Sequence, residues 1–235
     1  MSGIPRQLSE ITGRIDAACF RAGRAIGSAR LVAVSKTFPQ EDIREAAGAG
    51  QRAFGESRLQ EAEPKIMELP GDLEWHFIGR VQRNKVRRIL PLFAYIHAVD
   101  SLRLAEYMDG VAGGLGLRPK VFLQVDQAGE ESKGGFSVAG LRADFPGIMG
   151  LAHLDVVGLM TIPPAAESAE LSRDWFRELR ELRDELAAGF SAGLPFLSMG
   201  MSGDFEVAVE EGATHVRVGS AIFGKRAYKV EGELG

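Results

Sequence analysis

The chain has 235 residues, 28 of them basic and 32 acidic, for a net charge of −4, and 45% of it is hydrophobic. That length suits one α/β barrel, the apolar fraction excludes a disordered chain, and the charge balance excludes bulk attraction to nucleic acid or an anionic membrane. A single cysteine, Cys19, excludes an internal disulfide.

The chain opens with Ile4, Leu8, Ile11, Ile15, Cys19 and Ala22, whose spacing predicts one apolar stripe of an amphipathic helix. Cys19 falls on that stripe and reads as a small core residue. No signal-type apolar run stands at the start. No later stretch approaches the roughly 18 apolar residues of a membrane span, so a cytoplasmic protein is expected. The 29 glycines predict many tight turns.

After the helix, short β-rich runs alternate with helical patterns. The runs are Leu31–Ser35, Arg52–Phe54, Glu74–Ile78, Tyr95–Val99, Lys120–Val125, Asp155–Met160, Pro195–Ser198 and His215–Val218. The clearest helix between them carries Leu171, Trp175, Leu179, Leu182 and Leu186 at spacings of three and four. Strand–helix alternation implies parallel strands with crossover helices. Eight units favour a closed barrel over an open doubly wound sheet. The expected fold is a single (β/α)8 barrel of TIM type over about 31–226, preceded by an additional N-terminal helix, with the whole chain, 1–235, as one domain.

In such a barrel, chemistry collects at the C-terminal ends of the strands. Ser202 and Gly203 follow the seventh strand, and Gly219 and Ser220 follow the eighth. Small residues at these turns are ordinarily caps. They also expose N–H groups where barrels often hold a phosphate. Lys36 follows the apolar first strand. A lone strand-end lysine is usually solvated, but an amine emerging from a barrel interior is desolvated and more nucleophilic. Opposite a phosphate site it is a candidate Schiff-base lysine. Arg217 alternates with Val216 and Val218; an inward arginine needs a partner, leaving a structural ion pair or a ligand contact open.

Other residues carry less. Arg83-Asn84-Lys85-Val86-Arg87-Arg88 lacks interleaved aromatics and reads as a solvated helix face. His97, His153 and His215 lack metal-ligand spacing and read as structural. Glu56 and Lys133 are either pocket residues or exposed loop charges.

Taken together, Ala33-Val34-Ser35-Lys36-Thr37, Phe54-Gly55-Glu56, Trp75-His76-Phe77-Ile78-Gly79 with Gln82, Asn84 and Lys85, Ser132-Lys133-Gly134, Gly158-Leu159-Met160, Ser198-Met199-Gly200-Met201-Ser202 and Arg217-Val218-Gly219-Ser220-Ala221-Ile222-Phe223-Gly224 resemble the pyridoxal phosphate homeostasis protein family. That group is related to the N-terminal barrel of alanine racemase. The motifs follow family order over nearly the whole chain. The resemblance implies that Lys36 carries pyridoxal 5′-phosphate (PLP) as a Schiff base and that Ser202, Gly219 and Ser220 hold its phosphate. It also implies that Arg217 faces the pyridine nitrogen and that His76, Met160 and Ser198 line the pocket. One position departs: the family usually has Asn after Gly-Glu, where this chain has Ser57.

An arginine at the pyridine nitrogen disfavours its protonation and weakens the ring as an electron sink. Racemisation also needs an acid–base group on each face of the substrate. Alanine racemase draws one of them from a second domain, for which this chain leaves no room, and Tyr228 is a poor replacement. The expectation is a monomeric PLP carrier that turns over little or no substrate, with PLP-dependent apoenzymes as acceptors. A weak PLP-dependent amino-acid racemase is the alternative, and a PLP-independent Schiff-base aldolase a third reading.

Overall fold

The computed structural model describes residues 3–130 and 133–224. Ser132 and Tyr228, and the last two residues of the expected barrel range, lie outside the described residues. Eight strands, β1 (Arg30–Val34), β2 (Ala53–Glu56), β3 (Glu74–Phe77), β4 (Tyr95–Val99), β5 (Lys120–Val125), β6 (Asp155–Thr161), β7 (Phe196–Ser198) and β8 (His215–Val218), close in sequence order into a barrel. Each pairs in parallel with the next, and β8 pairs with β1. The helices are α1 (Gly3–Arg21), α2 (Gln40–Gly48), α3 (Leu59–Glu68), α4 (Val86–Ile89), α5 (Leu102–Leu115), α6 (Val138–Met149), α7 (Arg173–Phe190), α8 (Phe205–Glu210) and α9 (Ser220–Phe223). The expected barrel with its extra leading helix is what the chain forms.

α1 buries Leu8, Ile11, Ile15, Ala18 and Cys19 against α2, α8 and α9. Ala22, expected on that stripe, falls past the helix end and is exposed. The stripe of α7 also differs from expectation. Phe176, Leu179, Leu182 and Leu186 form the buried face, whereas Leu171 is 62% exposed. Leu171 precedes the helix in a 3-10 turn, Ala169–Ser172, whose three-residue period breaks the helical register.

Alternation along the strands sorts residues into two regions. Those facing outward, such as Phe54, Val216 and Val218, join one aliphatic core between sheet and helices. Those facing inward fill the lumen, where Tyr95, Phe122, Met160 and Phe196 form a separate cluster. A register shift between Ile96 and Val99 breaks the alternation of β4, and Ala98 packs with the lumen aromatics.

Candidate functional site

A cavity of about 310 Å³ opens at the C-terminal ends of the strands, inside the range of small-ligand sites. Its wall brings together Lys36, Ser202, Gly203, Arg217, Gly219 and Ser220, with Val34, Phe38 and Ile78 among the apolar remainder.

Lys36 is half-buried just beyond β1. The strand end that carries it is held from behind. Ser35 Oγ donates to Glu56 Oε1 at 2.8 Å, and Lys65 Nζ, from α3, donates to Glu56 Oε1 at 2.7 Å and to the Ser35 carbonyl at 3.0 Å. Glu56 is fully buried, so it is not an exposed loop charge, and it does not line the cavity. Burial raises its pKa against the opposing pull of Lys65. The next residue, Thr37, takes φ 70°, a left-handed conformation unfavourable for a β-branched side chain. Its N–H donates to Glu61 Oε2 at 3.2 Å, and the Phe38 N–H closes the turn onto the Ser35 carbonyl. The chain thus turns sharply at Thr37 and Phe38, leaving Lys36 at the rim.

Across the mouth, the loops after β7 and β8 meet. Ser220 Oγ donates to Ser202 Oγ at 3.2 Å. The first loop depends on Gly200, at φ 88°, where a Cβ would come within 2.5 Å of Ala208 Cβ. At Gly219 a Cβ would sit 3.1 Å from the Val34 carbonyl, so a bare backbone lets β8 end close beside β1. α9 has only four residues and little macrodipole, so any anion here depends on the hydroxyls and local N–H groups rather than on a long helix.

Arg217 forms the floor. It is 5% exposed. Nη1 donates to Ser198 Oγ at 2.5 Å and Nη2 to the Thr161 carbonyl at 2.9 Å. Both acceptors are neutral, and among the described residues no carboxylate lies within ion-pair distance. Burial lowers its pKa to about 10, with Asp204 opposing, so it remains a cation at pH 7. Of the two readings left open for Arg217, the ion pair is not formed.

His76, Met160 and Ser198 do not stand on the cavity wall. All three are buried beneath it in the lumen, because their strand positions fall before the last inward-facing residues. Ser198 touches Arg217 from below, and His97 Nδ1 lies 2.7 Å from Ser198 Oγ. His153, by contrast, is on the surface beside Asp109. Ser57 lines a separate depression with Arg58, Arg80 and Gln82, so its departure from the family pattern does not alter the Lys36 cavity wall. Lys133 donates to the Pro163 carbonyl at 3.0 Å in a neighbouring groove. Sequence reasoning missed the connection of His97 to this floor. The available signal was the alternation of Tyr95 and His97 on β4, which puts a polar ring inside the barrel.

The family model of the alanine racemase N-terminal domain matches residues 13–227. The pyridoxal phosphate homeostasis protein of Aquifex aeolicus is 47% identical over 223 residues, covering 94% of this chain and 98% of the relative. That of Escherichia coli K12 is 38% identical over 239 residues, covering 97% and 99%. Among solved structures, PipY of Synechococcus elongatus with PLP bound has TM-score 0.81 and 43% identity, covering 91% of this chain and all of that one. An alanine racemase of Clostridium difficile 630 shares the fold alone, at TM-score 0.69 and 14% identity. With matches of this identity over nearly its full length, the chain belongs to the family of the pyridoxal phosphate homeostasis proteins, within the alanine racemase N-terminal domain group.

Proposed function

We propose that this protein binds PLP in the Lys36 cavity and acts as its carrier, holding the cofactor sequestered and giving it up to other proteins. The observation that carries the reading is one cavity that combines an amine, two touching hydroxyls and a buried cation with only neutral partners. The residues fit the group. Ser202 and Ser220 offer hydroxyls to a phosphate, and Gly203 and Gly219 offer backbone that approaches closely. Arg217 offers N–H donors to a ring nitrogen and remains uncancelled by a carboxylate. Lys36 offers the primary amine at the rim. The names of the relatives and the PLP in PipY support the same group.

When bound, PLP supplies an aldehyde that condenses reversibly with an amine. Arg217, cationic at pH 7, keeps a ring nitrogen beside it from taking a proton, which weakens electron withdrawal by the ring. Lys36 and Arg217 are the ionisable side chains among the described residues that line the cavity. An arginine is a poor proton shuttle, so a second acid–base group for racemisation has no evident source among them. Glu56 and Lys65, behind β1, hold the strand end rather than reach the cavity.

We further infer a single domain over 1–235, a monomer, a cytoplasmic location and PLP-dependent apoenzymes as acceptors. Among the described residues no helix is long and apolar enough to cross a membrane. The test is to load the protein with PLP and follow loss of α-deuterium or inversion across a panel of amino acids. Enzymes commonly turn over at about 1–1000 per second. The carrier reading predicts rates far below that range, together with transfer of PLP to an apoenzyme. Racemisation faster than about one per second, abolished by Lys36→Ala, would replace the carrier with an enzyme.

A further inference from the structure

Below the cavity floor, a line of polar side chains crosses the lumen to the other end of the barrel. Glu74 opens β3 at the N-terminal end of the sheet, where it is partly exposed and pairs with Arg30 at 2.8 Å. His76 Nε2 lies 3.0 Å from Glu74 Oε1. His76 Nδ1 lies 2.9 Å from His97 Nε2. His97 Nδ1 lies 2.7 Å from Ser198 Oγ, and Ser198 Oγ lies 2.5 Å from Arg217 Nη1.

This line has a direction, and its ends set it. A carboxylate only accepts, and a guanidinium only donates. A neutral imidazole has one donor and one acceptor. Desolvation lowers the pKa of His76 and holds that of His97 well below the ordinary 6.5, and Glu74, held near 2 chiefly by its hydrogen bond with His76, is ionised. Glu74 therefore requires a proton on His76 Nε2. That leaves His76 Nδ1 to accept from His97 Nε2–H. His97 Nδ1 then accepts the Ser198 hydroxyl proton, and Ser198 Oγ is left to accept from Arg217. With both rings neutral, no other arrangement satisfies all four contacts.

We propose that this relay is the positioning device for Arg217: Glu74, acting through His76, His97 and Ser198, keeps the serine oxygen an acceptor aimed at Nη1 and so fixes the guanidinium toward the cavity. The inference rests on the reading that the cavity takes PLP. A carboxylate in direct contact would orient Arg217 equally well, but it would cancel the charge and repel an anionic ligand. The relay orients the cation from a distance and leaves its charge to the ligand. Glu74, His76, His97 and Ser198 are positioning residues; none of them lines the cavity.

The first test uses ¹⁵N-labelled protein without PLP and reads the ring tautomers from long-range ¹⁵N–¹H correlations at pH 7. Both His76 and His97 are expected as neutral Nε2–H forms. An Nδ1–H form or a charged ring at either position overturns the relay. The second test is Glu74→Gln, whose amide donates as well as accepts and so removes the fixed direction. Mixed tautomers and PLP binding weaker by roughly threefold to tenfold are expected, in line with part of a charged hydrogen bond. Arg30→Gln, which removes the surface ion pair and keeps the carboxylate, should change neither. Mixed tautomers with unchanged PLP affinity would show that Arg217 does not depend on the relay and would overturn the proposal. If the wild-type protein takes up no PLP, the functional reading fails by itself. The relay is then judged on the Arg217 Nε–H signal: slower solvent exchange in wild type than in Glu74→Gln upholds it, and equal exchange sinks it.

Discussion

The space between sheet and helices and the space inside the barrel are both lined by buried side chains, yet they are built from opposite materials. The outer layer is a continuous aliphatic and aromatic core, with Phe54, Phe145 and Phe176 fully buried. The lumen holds three histidines, a serine and an arginine among its aromatics. His215 lies between Phe196 and Tyr95, edge-on to the first and tilted to the second, at centroid distances of 5.0 and 5.6 Å, and among the described residues its Nε2 has no hydrogen-bond partner. An unpartnered buried nitrogen costs roughly 1–3 kcal/mol. The outer layer therefore contributes most of the stability, while the lumen gives some of it up in order to hold charge and direction beneath the cavity.

Substitutions separate the two regions. Phe54→Ala, which empties a site packed against Trp75, should cost about 3–5 kcal/mol of stability and leave PLP affinity of the folded fraction nearly unchanged, as urea unfolding and titration would report. Lowering the pH should strike the lumen instead. Burial holds His215 at about 3 against an ordinary 6.5. Between those values the unfolded chain binds a proton that the folded chain refuses. Stability is thus complete above about pH 6.5 and falls as pH drops towards 3, by about 2 kcal/mol for His215 at pH 5. Glu74, held near 2, adds a loss only below its ordinary carboxylate range. Urea midpoints measured from pH 7 to 5 should decline, and His215→Phe should flatten the decline. A level profile for the wild type would contradict neutral buried rings.

Arg217→Met sharpens the contrast, because it removes a buried cation that has no carboxylate to orphan. Stability without ligand should change by less than about 1 kcal/mol or rise, while PLP affinity falls by about thirtyfold, the worth of a charged hydrogen bond. A large loss of stability with unchanged affinity would make Arg217 a structural residue. Ser220→Ala should have the smallest effect of the set, weakening PLP by about tenfold and pyridoxal, which lacks the phosphate, much less. Equal losses for the two ligands would mark Ser220 as a cap.

The outer layer was legible in the sequence because it follows local rules. Tyr95–Val99, Lys120–Val125 and His215–Val218 carry strand patterning to the residue at which the strands begin and end. The second strand was read short, at Phe54, because Gly and Glu are poor strand formers. Its continuation to Glu56 is imposed by packing: at Gly55 a Cβ would meet Ile78 and Val32 at 3.2 Å, and Glu56 is held by Lys65. The strand-end rule gathered Lys36, Ser202, Arg217, Gly219 and Ser220 at one mouth. It did not separate wall from floor, since depth depends on how far each strand is staggered. The relay was illegible for a related reason. His97 and Ser198 are 101 positions apart, and only the closed barrel brings them into contact.

The proposed function puts PLP on Lys36 at the mouth of this barrel. The most direct measurement is borohydride reduction of the PLP-loaded protein, with absorbance spectra before and after and mass spectrometry of its peptides. A visible band that disappears on reduction, with the PLP mass on the peptide containing Lys36, is the predicted result. The same mass found on Lys65, Lys85 or Lys133, with Lys36 unmodified, would contradict it.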